Sequence, residues 1–533
     1  MMLHSIRKFS FLFIFCLLVS CDSNTKKKNV IIILADDLGY SDLSCFGSEI
    51  NTPNIDNLAS DGVIFTNYYS SPLCAPSRAM LLSGNDNHVA GIGIQAFRSK
   101  DYGYEGILSE RVAIIPEILK SNGYRTFMSG KWHIGGDPIS RGFDDTFVLL
   151  PGAFTHYDNN KPIKGYPDSA FSLNGKRILW DEGKYSTDEY TDRFINYIDK
   201  SDDSPFFGYL SLTAPHWPLQ VDEKFSNKYK GLYNSGYENI KISRLNKIKA
   251  KQLIDIKEEH FKVKEFRSEW ENLSDEDRKI ESRKMEIYAG MIDNIDHNVG
   301  RIITHLKNKN KLENTIIIFM SDNGAAAEDF YYNKTYGPYI QDKFSYEYDD
   351  MGKPDSFVSL GKNWADVITN PFNLYKGYTT SGGMRSPLII SGLSSEKKTS
   401  KEFVTLLDIA PTIYNLTNSK YELLNNNRIK IPIGESIIPY LSGENIEIHD
   451  KDYVFSFEHS GNAVLIKNKW KIVNKTSPFN NNNFDLYHLD DISESNNLKE
   501  KEEIIYNDLL KEWKKYSLSK KIIFPTPYKD DLN

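Results

Sequence analysis

Two pairs of oxygen-bearing side chains stand at the ends of long apolar runs, Asp36-Asp37 after one and Asp322-Asn323 after the other. If the two runs are neighbouring strands, three carboxylates and an amide meet at one sheet edge. Such a group repels itself unless a cation sits within it. All-oxygen ligation suits a hard divalent cation, Ca²⁺ or less readily Mg²⁺, rather than zinc. A second kind of chemistry is written in Cys74-Ala75-Pro76-Ser77-Arg78. Pro76 fits an early helical position, so the helix N-terminus turns its amides and positive dipole towards Cys74. Arg78 adds a fixed positive fork, giving an anion site built around sulfur. Three residues between Cys and Arg are too few for the loop of a thiolate phosphatase. Each feature alone also has an ordinary reading, because acidic residues start turns and a buried cysteine is commonly inert.

The elements that must position these residues form an α/β pattern. Asn29-Val30-Ile31-Ile32-Ile33-Leu34-Ala35 and Thr315-Ile316-Ile317-Ile318-Phe319-Met320 are unbroken apolar, β-branched runs, the mark of strands buried on both faces. Shorter strands are expected at residues 124–129, 206–212 and 388–390. Tyr288, Ile292, Ile295, Val299, Ile302 and Leu306 recur at spacings of three and four, which predicts a helix over about 284–306. Strands alternating with helices imply a large, mixed but mostly parallel sheet sandwiched by helices, whose ligands sit beyond the carboxyl ends of its strands. The Lys-, Glu- and Asp-rich stretch at about 222–283 reads as a solvated helical insertion. A smaller α+β domain is expected over 450–533, with a hairpin around Lys467-Asn468-Lys469, an Asn-rich loop at 480–483 and a helix over about 501–516. That leaves 29–449 as the main domain. Gly91-Ile92-Gly93-Ile94-Gln95-Ala96 nominally fits a dinucleotide fingerprint, but no buried strand leads into it, so it is set aside.

Composition narrows the field. The 533 residues carry 65 Lys and Arg against 72 Asp and Glu, a net charge of −7. That balance gives no basic surplus for nucleic acid. His4, Arg7 and Lys8 precede an apolar run at 9–19, too short to span a bilayer, which reads as a secretory signal over 1–20. The run ends Leu18-Val19-Ser20-Cys21, similar to the bacterial lipoprotein box, and residues 21–28 would form a polar tether. The expected location is the periplasm or cell surface of a bacterium, with the membrane reached through a lipid anchor. Once Cys16 and Cys21 are set aside, only Cys45 and Cys74 remain of the four cysteines. They either pair with each other or one of them does chemistry.

Cys74-Ala75-Pro76-Ser77-Arg78 resembles the Cys-x-Pro-Ser-Arg signature of the sulfatases, members of the alkaline phosphatase superfamily. Further pieces are similar and in the family's order: Thr52-Pro53-Asn54-Ile55-Asp56, Gly130-Lys131-Trp132-His133, Thr213-Ala214-Pro215-His216, Ser321-Asp322-Asn323-Gly324 and Tyr375-Lys376-Gly377. The stretches around His88 and His156 resemble the bacterial arylsulfatase branch. The resemblance implies an alkaline-phosphatase-like fold and an arylsulfatase-type hydrolysis of sulfate monoesters, aryl esters first, with carbohydrate sulfates as the other substrate class. It assigns Asp36, Asp37, Asp322 and Asn323 to a Ca²⁺ ion that Cys74 touches. It makes Cys74 the nucleophile after a maturase converts it to formylglycine (3-oxoalanine). It sets Arg78, Lys131 and Lys376 against the sulfate or the hydrated aldehyde, and gives proton transfer to His133 and His216. His88 and His156 remain candidates for the substrate pocket; the other histidines, His459 included, are expected to be structural. Two rival functions stay open: a phosphate or phosphonate monoester hydrolase with the same site, and an unmatured lipoprotein that binds sulfated glycans.

Overall fold

The computed structural model describes residues 26–95, 97–157, 169–180, 183–257, 267–393, 395–421, 429–475 and 483–523. The expected signal, Cys21 and most of the Asn-rich loop lie outside the described residues.

The two β-branched runs become strands Asn29–Ala35 and Thr315–Ser321, and every residue in both is buried. They lie side by side and parallel, with Ala35 opposite Ser321. Around them a ten-stranded sheet runs in the order Thr399–Ser400, Val63–Phe65, Leu388–Ser391, Thr315–Ser321, Asn29–Ala35, Phe206–Ser211, Arg125–Lys131, Asp145–Leu149, Phe171–Leu173, Lys176–Ile178. Its centre is parallel; strands Val63–Phe65, Leu388–Ser391 and the last two add antiparallel pairings. The fold is the mixed, mostly parallel α/β sandwich expected.

The two faces of the sheet feed two hydrophobic clusters, as the period-two alternation of a strand demands. Ile31, Ile33, Ile317 and Phe319 pack into one, with Met285, Ile292 and Ile302 of the long helix Asp275–Asn308. Val30, Ile32, Leu34, Ile316 and Ile318 pack into the other, with Ala79, Met80 and Leu82 of helix Cys74–Ser83.

One expectation needs correction. The stretch after Asp222 is helical, but it is not a solvated appendage. Phe225, Tyr233, Tyr237 and Ile248 are buried in the first cluster, and Arg244 is fully buried between Asp42 and Glu49. Its charged residues cover a helix face whose aromatic residues reach the core. The C-terminal region has four antiparallel strands, Val454–His459, Asn462–Lys467, Trp470–Asn474 and Asp485–His488, and a helix Glu503–Ser519. It contains the expected hairpin, yet Phe455, Phe457, Val464 and Val473 belong to the second cluster of the main sheet. Only its outer face, with Leu465, Ile472 and Trp513, has a core of its own.

Candidate active site

Four adjacent parallel strands end at one place. Strand Asn29–Ala35 delivers Asp36 and Asp37, Thr315–Ser321 delivers Asp322 and Asn323, Arg125–Lys131 delivers Lys131 and His133, and Phe206–Ser211 leads to His216. Helix Cys74–Ser83 begins here with Cys74 in its first position and Pro76 in its first turn. Lys376 arrives on a loop whose backbone is tied to the strand ends by Lys376 N–H donating to Ala325 O at 3.1 Å. All the catalytic and metal-binding residues expected from the sequence therefore meet, and all but His133 are essentially buried.

The backbone is bent to make this possible. Asp37 and His133 both take φ of 64°, a conformation that non-glycine residues adopt rarely and mostly where function holds them. Gly130, one residue before Lys131, has φ of 109°, and a Cβ there would lie 1.8 Å from Ser211 O. Gly152 packs on the imidazole of His133, where a Cβ would come 2.4 Å from Nε2. Glycine is the side chain that each close approach allows.

Charges are interleaved. Lys131 Nζ lies 2.7 Å from Asp36 Oδ2 and Lys376 Nζ 2.8 Å from Asp37 Oδ2. Arg78 is engaged through all three of its nitrogens. Its Nε and Nη2 donate to Asp322 Oδ2 at 3.1 and 2.7 Å, and its Nη1 donates to Lys131 O and Ser211 Oγ. The guanidinium, fully buried, holds the acidic strand end against the lysine strand. Ser211, which the sequence did not single out, completes this grip; a serine at a strand end carries no signal of its own.

Three carboxylates against three cations balance, yet the oxygens are not all satisfied. Among the described residues Asp36 Oδ1 and Asn323 Oδ1 are buried without a hydrogen bond, although Arg78 lies 3.3 Å from the former. Oxygen ligands of Asp36 and Asp37, Cys74 Sγ and a ring nitrogen of His216 fall within 4.8 Å of one another. Buried orphan oxygens cost free energy unless paired, and two of them beside carboxylates fit a hard divalent cation. Asp322 takes a supporting position: Oδ2 accepts both bonds from Arg78, while Oδ1 accepts from Asp37 N–H at 3.2 Å and retains a second lone pair.

Cys74 Sγ sits 3.6 Å from Asp37 Oδ1. Burial pushes its thiol well above the ordinary range, with Lys131 and Lys376 pulling the other way. Cys74 and Cys45 are both free and buried, so they do not pair with each other. His216 Nδ1 lies 2.8 Å from Trp217 O, and a carbonyl only accepts, so Nδ1 carries the hydrogen and Nε2 faces Asp37 Oδ2 at 3.5 Å. His133 Nδ1 is buried and without a partner among the described residues. Burial holds both rings well below the usual histidine range, reinforced by Lys131 and Lys376.

His88 and His156 are not pocket residues; both are buried and held. His156 Nε2 donates to His216 O at 2.9 Å while Nδ1 accepts from Ser186 Oγ at 2.7 Å, so His156 steadies the His216 backbone. His88 Nε2 lies 3.1 Å from Glu458 Oε2, in the C-terminal hairpin formed by strands Val454–His459 and Asn462–Lys467.

Similarity agrees with this geometry. The family model described as Sulfatase matches residues 28–419. An uncharacterized sulfatase of Schizosaccharomyces pombe is 36% identical over 525 residues, covering 93% of this chain and 94% of its own. An arylsulfatase of Klebsiella aerogenes is 36% identical over 405 residues, 73% of this chain and 86% of its own. Among solved structures, Ps i-CgsB in complex with k-i-k-neocarrahexaose superposes with a TM-score of 0.66 at 25% identity, covering 92% of this chain and 93% of that one.

Proposed function

Because the chain belongs to the sulfatase family, we propose that it hydrolyses sulfate monoesters of hydroxylated substrates, glycans foremost, through Cys74 matured to formylglycine and a bound Ca²⁺. The observation that carries this reading is the convergence of Cys74, two buried lysines, two histidines and two orphaned ligand oxygens at the ends of four parallel strands. The likeness to Ps i-CgsB, solved with a neocarrahexaose, favours a carbohydrate over a simple phenol as the alcohol half.

Asp36, Asp37, Asp322 and Asn323, with the matured residue 74, would hold the cation, which supplies positive charge for the sulfate oxygens. As a hydrated aldehyde, residue 74 would supply the attacking hydroxyl. Lys131 and Lys376 bind the sulfate oxygens from two sides, and their charge is effective because the site is buried. Arg78 keeps the carboxylates in place. His216, with Nε2 aimed inward, protonates the departing oxygen; a bound anionic ester favours the charged ring it needs. His133, on the same segment as Lys131, removes the proton from the second hydroxyl.

The test uses purified protein co-produced with a formylglycine-generating maturase. Hydrolysis of nitrophenyl sulfate should exceed that of nitrophenyl phosphate and of a phenylphosphonate ester, and peptide mass spectrometry should find the aldehyde at residue 74. Chelation should abolish turnover and Ca²⁺ restore it. A faster phosphate or phosphonate reaction, an unmodified thiol in fully active enzyme, or stoichiometric zinc without Ca²⁺ or Mg²⁺ would overturn the reading. We also propose export as a lipoprotein acylated at Cys21, checked by metabolic labelling with a fatty acid; labelling that persists in Cys21→Ala would refute it.

A further inference from the structure

The stretch Gly91-Ile92-Gly93-Ile94-Gln95, set aside as a nucleotide fingerprint, has a different use. It forms a turn rather than a strand-to-helix junction, and it carries Gln95 to the first turn of the nucleophile helix. Ala75 N–H, one peptide beyond Cys74, donates to Gln95 Oε1 at 3.2 Å. The two ends of a glutamine carboxamide are hard to tell apart by shape, but here the neighbour decides. A backbone N–H only donates, so the atom facing Ala75 is the oxygen, and the NH₂ group lies on the other side. Among the described residues the hydrogen bonds of Gln95 are made by its Oε1 and its backbone N–H, not by Nε2, and the side chain is partly exposed.

The residue is anchored at its other end too. Gln95 N–H donates to His459 Nε2 at 2.8 Å. His459 belongs to the tip of the C-terminal hairpin, which is itself pinned. Glu458 Oε2 meets His88 Nε2 at 3.1 Å, Glu458 Oε1 accepts from Gly461 N–H at 2.8 Å, and Asn87 Nδ2 donates to Glu458 O at 3.2 Å. A glutamine held at both backbone and side chain, one peptide from the nucleophile and with its amide donor unspent among the described residues, is a pre-positioned recognition group.

We propose that Gln95 is a specificity-determining residue whose Nε2 donates a hydrogen bond to an oxygen on the alcohol half of the substrate, a hydroxyl or ring oxygen of a sulfated sugar, with the C-terminal hairpin as its mount. This rests on the sulfate-ester reading above. The sulfate group itself is served by the lysines, so Gln95 reads what the sulfate is attached to. Sugars carry acceptor oxygens close to the ester; phenyl sulfate has none beyond the ester itself. Gln95→Met keeps the side-chain length and removes both the anchor and the donor.

The experiment compares kcat/KM of wild type and Gln95→Met on phenyl sulfate and on a panel of hexose monosulfates, with folding checked by thermal melting. The loss should be roughly three- to tenfold larger on the hexose sulfates the enzyme accepts, as expected for one hydrogen bond. His459→Ala, which frees the backbone end, should shift the same ratio in the same direction. Equal losses on both substrate types in both variants would overturn the proposal and make Gln95 a support for the helix alone. Wild-type turnover of any sulfate ester tests the underlying reading separately. Should every hexose sulfate be refused while phenyl sulfate is hydrolysed, Gln95 does not read sugar oxygens and the proposal falls, while the sulfatase reading stands.

Discussion

At the scale of single residues, the two histidines reach the site with different constraints, and that difference predicts different phenotypes. His216 is fixed through Nδ1 on Trp217 O and through its own carbonyl on His156, so Nε2 alone is free to serve the reaction. His216→Ala should therefore slow sugar or alkyl sulfates by about 10²-fold or more, the usual worth of a general acid, while nitrophenyl sulfate falls much less because its phenolate departs unaided. His133→Ala should make kcat nearly independent of the leaving group, because it slows a step that follows the departure of the alcohol. A leaving-group plot for both variants checks this, and equal slopes would show the roles to be misassigned. Nearly the whole of this constellation was legible in the sequence, because Cys, Lys, His and Asp at motif spacing announce their chemistry. What the motif does not say is that Nε, Nη1 and Nη2 of Arg78 are each already engaged, by Asp322, Lys131 O and Ser211 Oγ. Gln95, Ser211 and Gly152 were invisible: their roles come from contacts across the fold, and Gln95 meets His459 at a separation of 364 residues.

At the scale of elements, the loop bearing Lys376 depends on the C-terminal sheet. Lys471 and Glu494 form a buried ion pair with their side chains 1% exposed. Glu494 Oε1 also accepts from the backbone and hydroxyl of Ser381, five residues beyond Lys376, at 2.9 and 2.8 Å. Thr379 Oγ1 donates to Ala463 O and Asn474 O of the same sheet. Removing one partner of a buried pair leaves the other charge uncompensated, a cost of about 3–5 kcal/mol. Glu494→Ala should lose that much in urea unfolding and raise KM for sulfate esters as Lys376 loosens; a double variant with Lys471→Met should recover part of the stability. No recovery would mean that Ser381, not Lys471, is the partner that matters. The central strands were readable from composition, because a strand buried on both faces must be apolar throughout. Strands such as Val454–His459 and Asp485–His488 were not, since Glu458, Asp485 and His488 interrupt the pattern, and their pairing comes from neighbours distant in sequence. The same limit hid the shared core that fuses the C-terminal region to the main sheet.

At the scale of the whole molecule, the seam between the main body and the C-terminal hairpin holds two histidines in opposite protonation states. Burial would lower His88, but the carboxylates of Asp86 and Glu458 outweigh it and raise the ring to about 9. Burial lowers His459 to about 3, with His88 adding to the fall, which suits a ring that accepts from Gln95 N–H. Tyr104 lies against His88, and Tyr516 donates to Asp86, so the groups facing the seam are Asp86, Glu458, the two tyrosines and Lys520 near Asp86. The signs follow from linkage. Above about pH 6.5 an unfolded His88 has lost its proton while the folded one keeps it, so its stabilisation is full below 6.5 and drains away up to about 9. An unfolded His459 gains a proton below about 6.5 that the folded ring refuses until about 3, so stability falls as acid is added through that window. The effect at its extreme is on the order of 3 kcal/mol for His88 and on the order of 5 kcal/mol for His459. Melting temperature at a fixed scan rate should fall on both sides of neutrality. His88→Gln should flatten the alkaline fall, at the cost of a lower plateau because Glu458 loses its partner. His459→Gln, which keeps an acceptor for Gln95, should flatten the acid fall. Carboxylates elsewhere titrate in the same range, so the comparison is each variant against wild type at each pH. Profiles for both variants that run parallel to the wild type would show that the seam does not set the pH limits of the fold.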